Sequence, residues 1–89
     1  MNTKEVERTL KALANKRRLE IVKFLRKAKE ASVGDIADAI KLSFRATSKH
    51  LSVLYSADIV EKEQRSLQMW YRLSPNLNPI AKHISSLFE

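Results

Sequence analysis

Cysteine is absent from this 89-residue chain, and that one absence excludes disulfides, zinc ribbons, thiolate metal sites and a cysteine nucleophile. Glycine occurs once and proline twice, so the chain has neither a glycine-rich phosphate loop nor a proline-rich linker. Aromatic residues are sparse at 7%. No stretch approaches the roughly eighteen apolar residues that a membrane span needs. The charged start, residues 1 to 8, lacks the form of a signal peptide. The expectation is a soluble, cytoplasmic protein with no membrane partner. A chain of this size has surface enough for one core, so residues 1 to 89 read as a single domain. With no disulfide to supplement so small a core, dimerisation is the expected supplement.

Charge is what the chain has in excess. Seventeen Lys and Arg stand against ten Asp and Glu, a net charge of +7. Residues 1 to 30 hold ten basic and four acidic side chains, whereas residues 31 to 58 balance at three against three. Within that balanced middle, residues 43 to 57 contain Arg45, Lys49 and His50 and no carboxylate. A basic domain with an acid-free helix points to a polyanion partner. Solvated helix faces would give the same net charge, so the arrangement of the charges has to decide.

Apolar spacing supplies that arrangement. Val6, Leu10 and Leu13 recur at three- and four-residue intervals, which predicts an amphipathic helix over residues 3 to 14 with Thr3 as its cap. Leu19, Ile21, Val22, Phe24 and Leu25 predict a second helix with too broad an apolar surface to be exposed. After a polar link at residues 27 to 30, Ser32 and Asp35 stand as in a capping box ahead of a short third helix with Ile36, Ala37 and Ile40 inside. Ser43 caps a fourth, where Thr47, Leu51 and Leu54 share one side. Two helices joined by about three residues make a helix-turn-helix. Beyond Asp58, residues 59 to 63 favour a strand. Leu67, Met69, Tyr71 and Leu73 then alternate with Gln68, Trp70 and Arg72, which predicts a hairpin with the first set in the core and Trp70 packed under a neighbouring helix. Its connection, residues 64 to 66, has no glycine, so a longer or mobile loop is expected. Pro75 and Pro79 bracket a turn into a last helix with Ile80, Ile84, Leu87 and Phe88. The order describes a mainly α winged helix-turn-helix: five helices plus a two-stranded wing.

Several stretches resemble the ArsR-type bacterial and archaeal transcription regulators. Residues 10 to 21, LKALANKRRLEI, are similar to that family's "ALADPTRLRIL" segment, and residues 32 to 40 to "SVSELAEAL". Leu42-Ser43 followed by residues 48 to 54, SKHLSVL, resembles "LSQSTVSHHLKVL", and Tyr71-Arg72-Leu73 is the "YRL" that closes the wing. The likeness spans about residues 8 to 73. It implies DNA binding, and an approach of one or two of Lys16, Arg17 and Arg18 to the backbone near the dyad. Where the family's metal sensors carry a cysteine pair this chain has Val33, Gly34 and Asp35, and on its last helix only His83. A lone imidazole is not a metal site, so no metal and no cofactor is expected.

With Thr47, Leu51 and Leu54 inward, the outward face of the fourth helix is Phe44, Arg45, Ser48, Lys49 and Ser52. A guanidinium fork grips guanine O6 and N7, worth about 1–3 kcal/mol against a wrong base, and Arg45 is the candidate for that contact. Lys49, one turn on, adds a base or phosphate contact. Phe44 lies either against a thymine methyl or over the turn between helices. Ser43 serves as cap and as phosphate donor. His50 is wedged beside the core within reach of a phosphate, and Arg65, at the hairpin tip, either reaches a minor groove or flanking backbone or is solvated. Val6, Leu10 and Leu13 on the first helix, with Ile80, Ile84, Leu87 and Phe88 on the last, exceed what a small monomer covers and predict a homodimer interface. The reading is a regulator, expected to repress, that binds an imperfect palindrome of double-stranded DNA. Whether a small-molecule effector acts on it is not written in the sequence. An enzyme is poorly supported, Asp35 and Asp38 being ordinary N-terminal acids of a helix. The rival is a winged helix used as a protein-interaction module.

Overall fold

Every helix begins at a side-chain cap, and these caps fix where the elements lie in the computed structural model, which describes residues 1–88. Asn2 Oδ1 accepts the Glu5 N–H at 2.8 Å, so helix α1 (Thr3–Leu13) is capped one residue before the expected Thr3. Asn15 Oδ1 accepts from Arg18 N at 3.1 Å and opens α2 (Lys16–Ala28), whose Ile21, Val22 and Leu25 are buried at the centre of the domain. Ser32 Oγ accepts from Asp35 N at 3.1 Å and opens α3 (Val33–Ile40). Ser43 Oγ does the same for Ala46 N at 3.1 Å and opens α4 (Phe44–Ser56), with Thr47, Leu51 and Leu54 buried as the spacing predicts. Asn78 caps α5 (Pro79–Ser86), and Pro79 in its first turn gives up an N–H that has no intrahelical partner there.

Helices α3 and α4 are joined through Lys41, which adopts the left-handed conformation (φ 56°). Among the described residues, each positive φ falls at an element boundary: Lys29, Lys41, Asp58 and Ser66. The only glycine of the sequence, Gly34, is not among them. L-residues therefore carry all the tight turns, held there by the elements on either side.

The wing has a third strand that periodicity did not reveal. A short strand β1 (Glu30–Ser32) begins at the last residue of the expected polar link, residues 27 to 30, whose first two residues belong to α2. It pairs antiparallel with β3 (Gln68–Leu73), which also pairs with β2 (Val60–Arg65), in the order β1-β3-β2. The register sets Glu30 opposite Arg72, Ala31 opposite Tyr71 and Ser32 opposite Trp70. On the other side Arg65 opposes Gln68, which leaves only Ser66 and Leu67 in the turn. The expected longer loop is thus a two-residue turn. Positive φ at Ser66 (56°) and not at Leu67 is the pattern of a type II′ hairpin turn, and the Gln64 side-chain amide braces it by donating to Ser66 O at 3.0 Å.

Alternation turns Tyr71 into the core, with Met69 and Leu73 packed against it. Leu67 does not follow them: it stands at the turn, 96% exposed. Trp70 is also not under a helix; it lies on the outer face of the sheet, with the Arg65 guanidinium carbon 5.0 Å from its ring centre. At the other end of the domain α1 packs on α5, tied by Asn78 Nδ2 donating to the buried Thr9 hydroxyl at 2.8 Å. No helix among the described residues is long and apolar enough to cross a membrane.

Candidate nucleic-acid interface

The face of α4 opposite its buried side is open. Phe44, Arg45, Lys49 and Ser52 are exposed and Ser48 is half-exposed, so the five residues expected on one surface do share it. Arg45 and Lys49, one turn apart, make no hydrogen bond or ion pair among the described residues. Phe44 is 62% exposed, so most of its ring is open to solvent on this face. Ser43 spends an acceptor lone pair on its cap and keeps its O–H to donate. The first N–H groups of a helix have no internal partner and carry the positive end of its dipole, so this end of α4 suits a phosphate.

His50 is half-buried at the base of this face, and Arg18 Nη1 lies 3.2 Å from its Nδ1. A guanidinium only donates, so Nδ1 is the acceptor, which puts the proton on Nε2. Burial, then the charges of Arg18 and Arg17, hold its pKa below the ordinary histidine value. The imidazole is neutral at pH 7 and presents an N–H donor.

Three of the basic residues expected to reach outward separate in the structure. Lys16 is exposed and makes no hydrogen bond or ion pair among the described residues. Arg17 is turned inward: its Nη1 donates to Ile40 O at 2.6 Å and pairs with Glu20 Oε1 at 3.2 Å. It pins the last turn of α3 to α2 and is not a free backbone contact. Arg65 is likewise engaged, within the wing. It makes a bidentate pair with Glu30, at 2.9 Å to each oxygen, and a further bond to Glu63 at 3.0 Å. Next to it Arg72 pairs with Glu61 at 3.0 Å and Glu63 at 3.2 Å. The outer face of the wing is a closed network of two guanidiniums and three carboxylates.

Arg18, expected with Lys16 and Arg17 as a candidate backbone contact, is engaged within the domain, a structural role the sequence reading missed. Besides His50 it donates to Ala12 O at 2.6 Å and Lys11 O at 3.3 Å, capping the end of α1 and joining it to α4. A basic residue placed just after a helix end was the available signal. Lys62 Nζ lies 4.2 Å from the centre of the Tyr55 ring, which ties the wing to the C-terminal half of α4. No cluster of metal-ligating side chains occurs among the described residues.

A helix-turn-helix with an open cationic second helix, flanked by a three-stranded wing, defines a winged helix-turn-helix DNA-binding domain. Residues 15–62 match the shared pattern of the bacterial regulatory proteins of the arsR family. The transcriptional activator HlyU of Vibrio cholerae is 36% identical over 81 residues, covering 83% of this chain and 74% of that protein. The solved structure of reduced HlyU superposes with a TM-score of 0.82 at 32% identity, over 97% of this chain and 86% of that one. A homodimeric winged helix-turn-helix DNA-binding domain of Mycobacterium bovis, from a possible ArsR-family transcriptional regulator, gives 0.79 at 32% identity over 96% and 72%. The transcriptional repressor PagR of Bacillus anthracis gives 0.79 at 27% identity over 97% and 94%. The chain belongs to the arsR family of bacterial regulatory proteins and is a DNA-binding transcription regulator.

Proposed function

We propose that the protein is a cytoplasmic repressor that binds an imperfect palindrome of double-stranded DNA as a homodimer, acting by occupancy and not by turnover. The carrying observation is the open face of α4, with Arg45 and Lys49 unengaged among the described residues and no carboxylate between residues 43 and 57. In the major groove Arg45 reads a guanine. Lys49, Ser48 and Ser52 hold neighbouring bases or phosphates, Phe44 meets a thymine methyl, and Ser43 and the His50 Nε2–H donate to the backbone. Lys16 adds a phosphate contact from α2. Pairing two copies through α1 and α5 sets their recognition helices about one DNA turn apart, roughly 34 Å, and so requires a two-fold site.

Selection of bound sequences from random DNA, followed by mobility-shift titration, tests this. Arg45→Ala is expected to cost about 1–3 kcal/mol on the selected site and to relax preference at one base pair. Lys16→Ala is expected to weaken every sequence alike and to lower the salt slope by about 1. Equal losses on all sequences for both variants would remove Arg45 from base reading. Failure to enrich any sequence would favour the protein-interaction module.

A further inference from the structure

A groove of about 630 Å³ runs between α2 and α3, and none of its lining comes from α1, α4, α5 or the wing. Neither the DNA face nor the proposed pairing surface therefore uses it. Phe24 and Ala28 on α2, with Ala39 and Ile40 on α3, make its walls, and none of these side chains carries a polar atom. The two alanines are exposed, and their small side chains leave the space open. The rim is charged. Glu20, toward the start of α2, is already neutralised: Arg17 pairs with it at 3.2 Å while holding Ile40 O at 2.6 Å. Lys23 and Lys27 are exposed, stand one turn apart on α2, and make no hydrogen bond or ion pair among the described residues. Like charges at that spacing repel, and an anion between them relieves the repulsion.

We infer that this groove binds an amphipathic carboxylate, a small molecule with an apolar chain and one anionic end. The chain lies on Phe24, Ala39 and Ile40, and the carboxylate meets the Lys23 and Lys27 ammoniums. A volume of a few hundred Å³, apolar walls and a few convergent polar groups are common to small-ligand sites. The same chemistry disfavours other classes of ligand. A cation meets two free ammoniums and no free carboxylate. A sugar or other polyhydroxylated body finds no partner on the walls for the hydroxyls it would bury. The site also adjoins the helix-turn-helix: Ile40 ends α3, Arg17 holds its carbonyl, and Lys41 turns the chain from there toward α4. A ligand on Ile40 therefore bears on the segment that sets the start of the recognition helix.

The test uses the whole chain without DNA, so its outcome is independent of what α4 binds. Octanoate, far below the concentration at which it forms micelles, is titrated into the isotope-labelled protein and followed by amide NMR shifts. Acetate supplies the charge without the chain, and octanol the chain without the charge. Octanoate is expected to shift the Phe24, Ala28, Ala39 and Ile40 amides with a Kd on the order of 1 mM. Octanol is expected to bind about fivefold more weakly, the loss of two exposed ion pairs, and acetate at least about tenfold more weakly. Lys23→Gln combined with Lys27→Gln is expected to bring octanoate down to the affinity of octanol. Ala39→Leu, which fills the groove, is expected to weaken both about tenfold. All three positions are exposed, so neither variant enters the core, which equal melting temperatures verify. Groove amides that stay still up to about 10 mM octanoate, octanol that binds as tightly as octanoate, or an Ala39→Leu protein with wild-type affinity overturns the site.

Discussion

At the scale of single residues, two groups under the recognition face, one half-buried and one buried, have measurable consequences. His50 has its pKa held below the ordinary value by burial and by the Arg18 and Arg17 charges. The unfolded chain takes up its proton near pH 6.5, whereas the folded protein waits for a lower pH. Between those values the unfolded state binds more protons, so the contribution of His50 to stability is complete above about pH 6.5 and is lost as pH falls through the folded value. His50→Gln retains a side-chain acceptor for Arg18 and removes the titration. Its melting temperature is expected to fall less than that of the wild type between pH 7 and pH 5, and parallel curves would exclude His50 as the source. Thr47 is the second group. Its Oγ1 is buried with no hydrogen-bond partner among the described residues, and leaving a hydroxyl unpaired costs on the order of 1–3 kcal/mol. Thr47→Val keeps the shape and removes the unpaired oxygen, and urea denaturation is expected to show a gain of about 1 kcal/mol. A loss instead would mean that the hydroxyl has a partner in solution.

Among the elements, the wing is where charge holds a shape that the short strands alone do not secure. Hydrogen bonds from Arg65, the largest cause in each case, keep the Glu30 and Glu63 carboxyls below their ordinary range. Their contribution is therefore present above about pH 4.5 and is lost as pH falls through the lowered folded values. Arg65→Gln is expected to flatten this acid limb of the stability curve and to speed amide exchange in Glu30–Ser32. It is expected to reduce DNA affinity less than Arg45→Ala, because Arg65 is already engaged within the wing; an equal or larger loss would return Arg65 to the DNA interface. The helix-turn-helix was legible in sequence because Ser32 and Ser43 are local caps and because Thr47, Leu51 and Leu54 repeat at the helical period. Strand β1 was not, since three residues carry no period and their hydrogen bonds come from residues 70 to 72. The same distance hid Arg65, whose partner Glu30 lies 35 positions away: a cation at a turn reads alike whether it is latched or free. Ser66 takes a left-handed φ because strand register demands a two-residue turn, a constraint outside the local sequence. Alternation correctly turned Tyr71 inward and failed at Leu67 because that residue lies in the turn, before β3 begins at Gln68.

For the molecule as a whole, the proposed two-fold site requires one small domain to pair with a second copy. The apolar residues at the α1–α5 end divide by exposure. Leu13 is only 5% exposed and belongs to the subunit's own core, so it is withdrawn from the expected interface. Val6, Ile80, Ile84 and Phe88 are half-buried, and Leu10 and Leu87 stand out at 49% and 63% exposure. In the proposed homodimer, a two-fold axis through this end would cover both and leave α4 and the wing free. Leu10→Glu combined with Leu87→Glu sets carboxylates on that surface without entering the core, so each subunit is expected to keep its helical signature while sedimenting as a single copy. Two linked half-sites bind more tightly than one because the second contact is intramolecular, a gain on the order of 10²–10⁴. Affinity for the palindrome is therefore expected to fall at least a hundredfold, while affinity for an isolated half-site stays that of one subunit. A wild type already single-copy at micromolar concentration, or a double variant that still binds the palindrome at full strength, would place the pairing surface elsewhere on the fold.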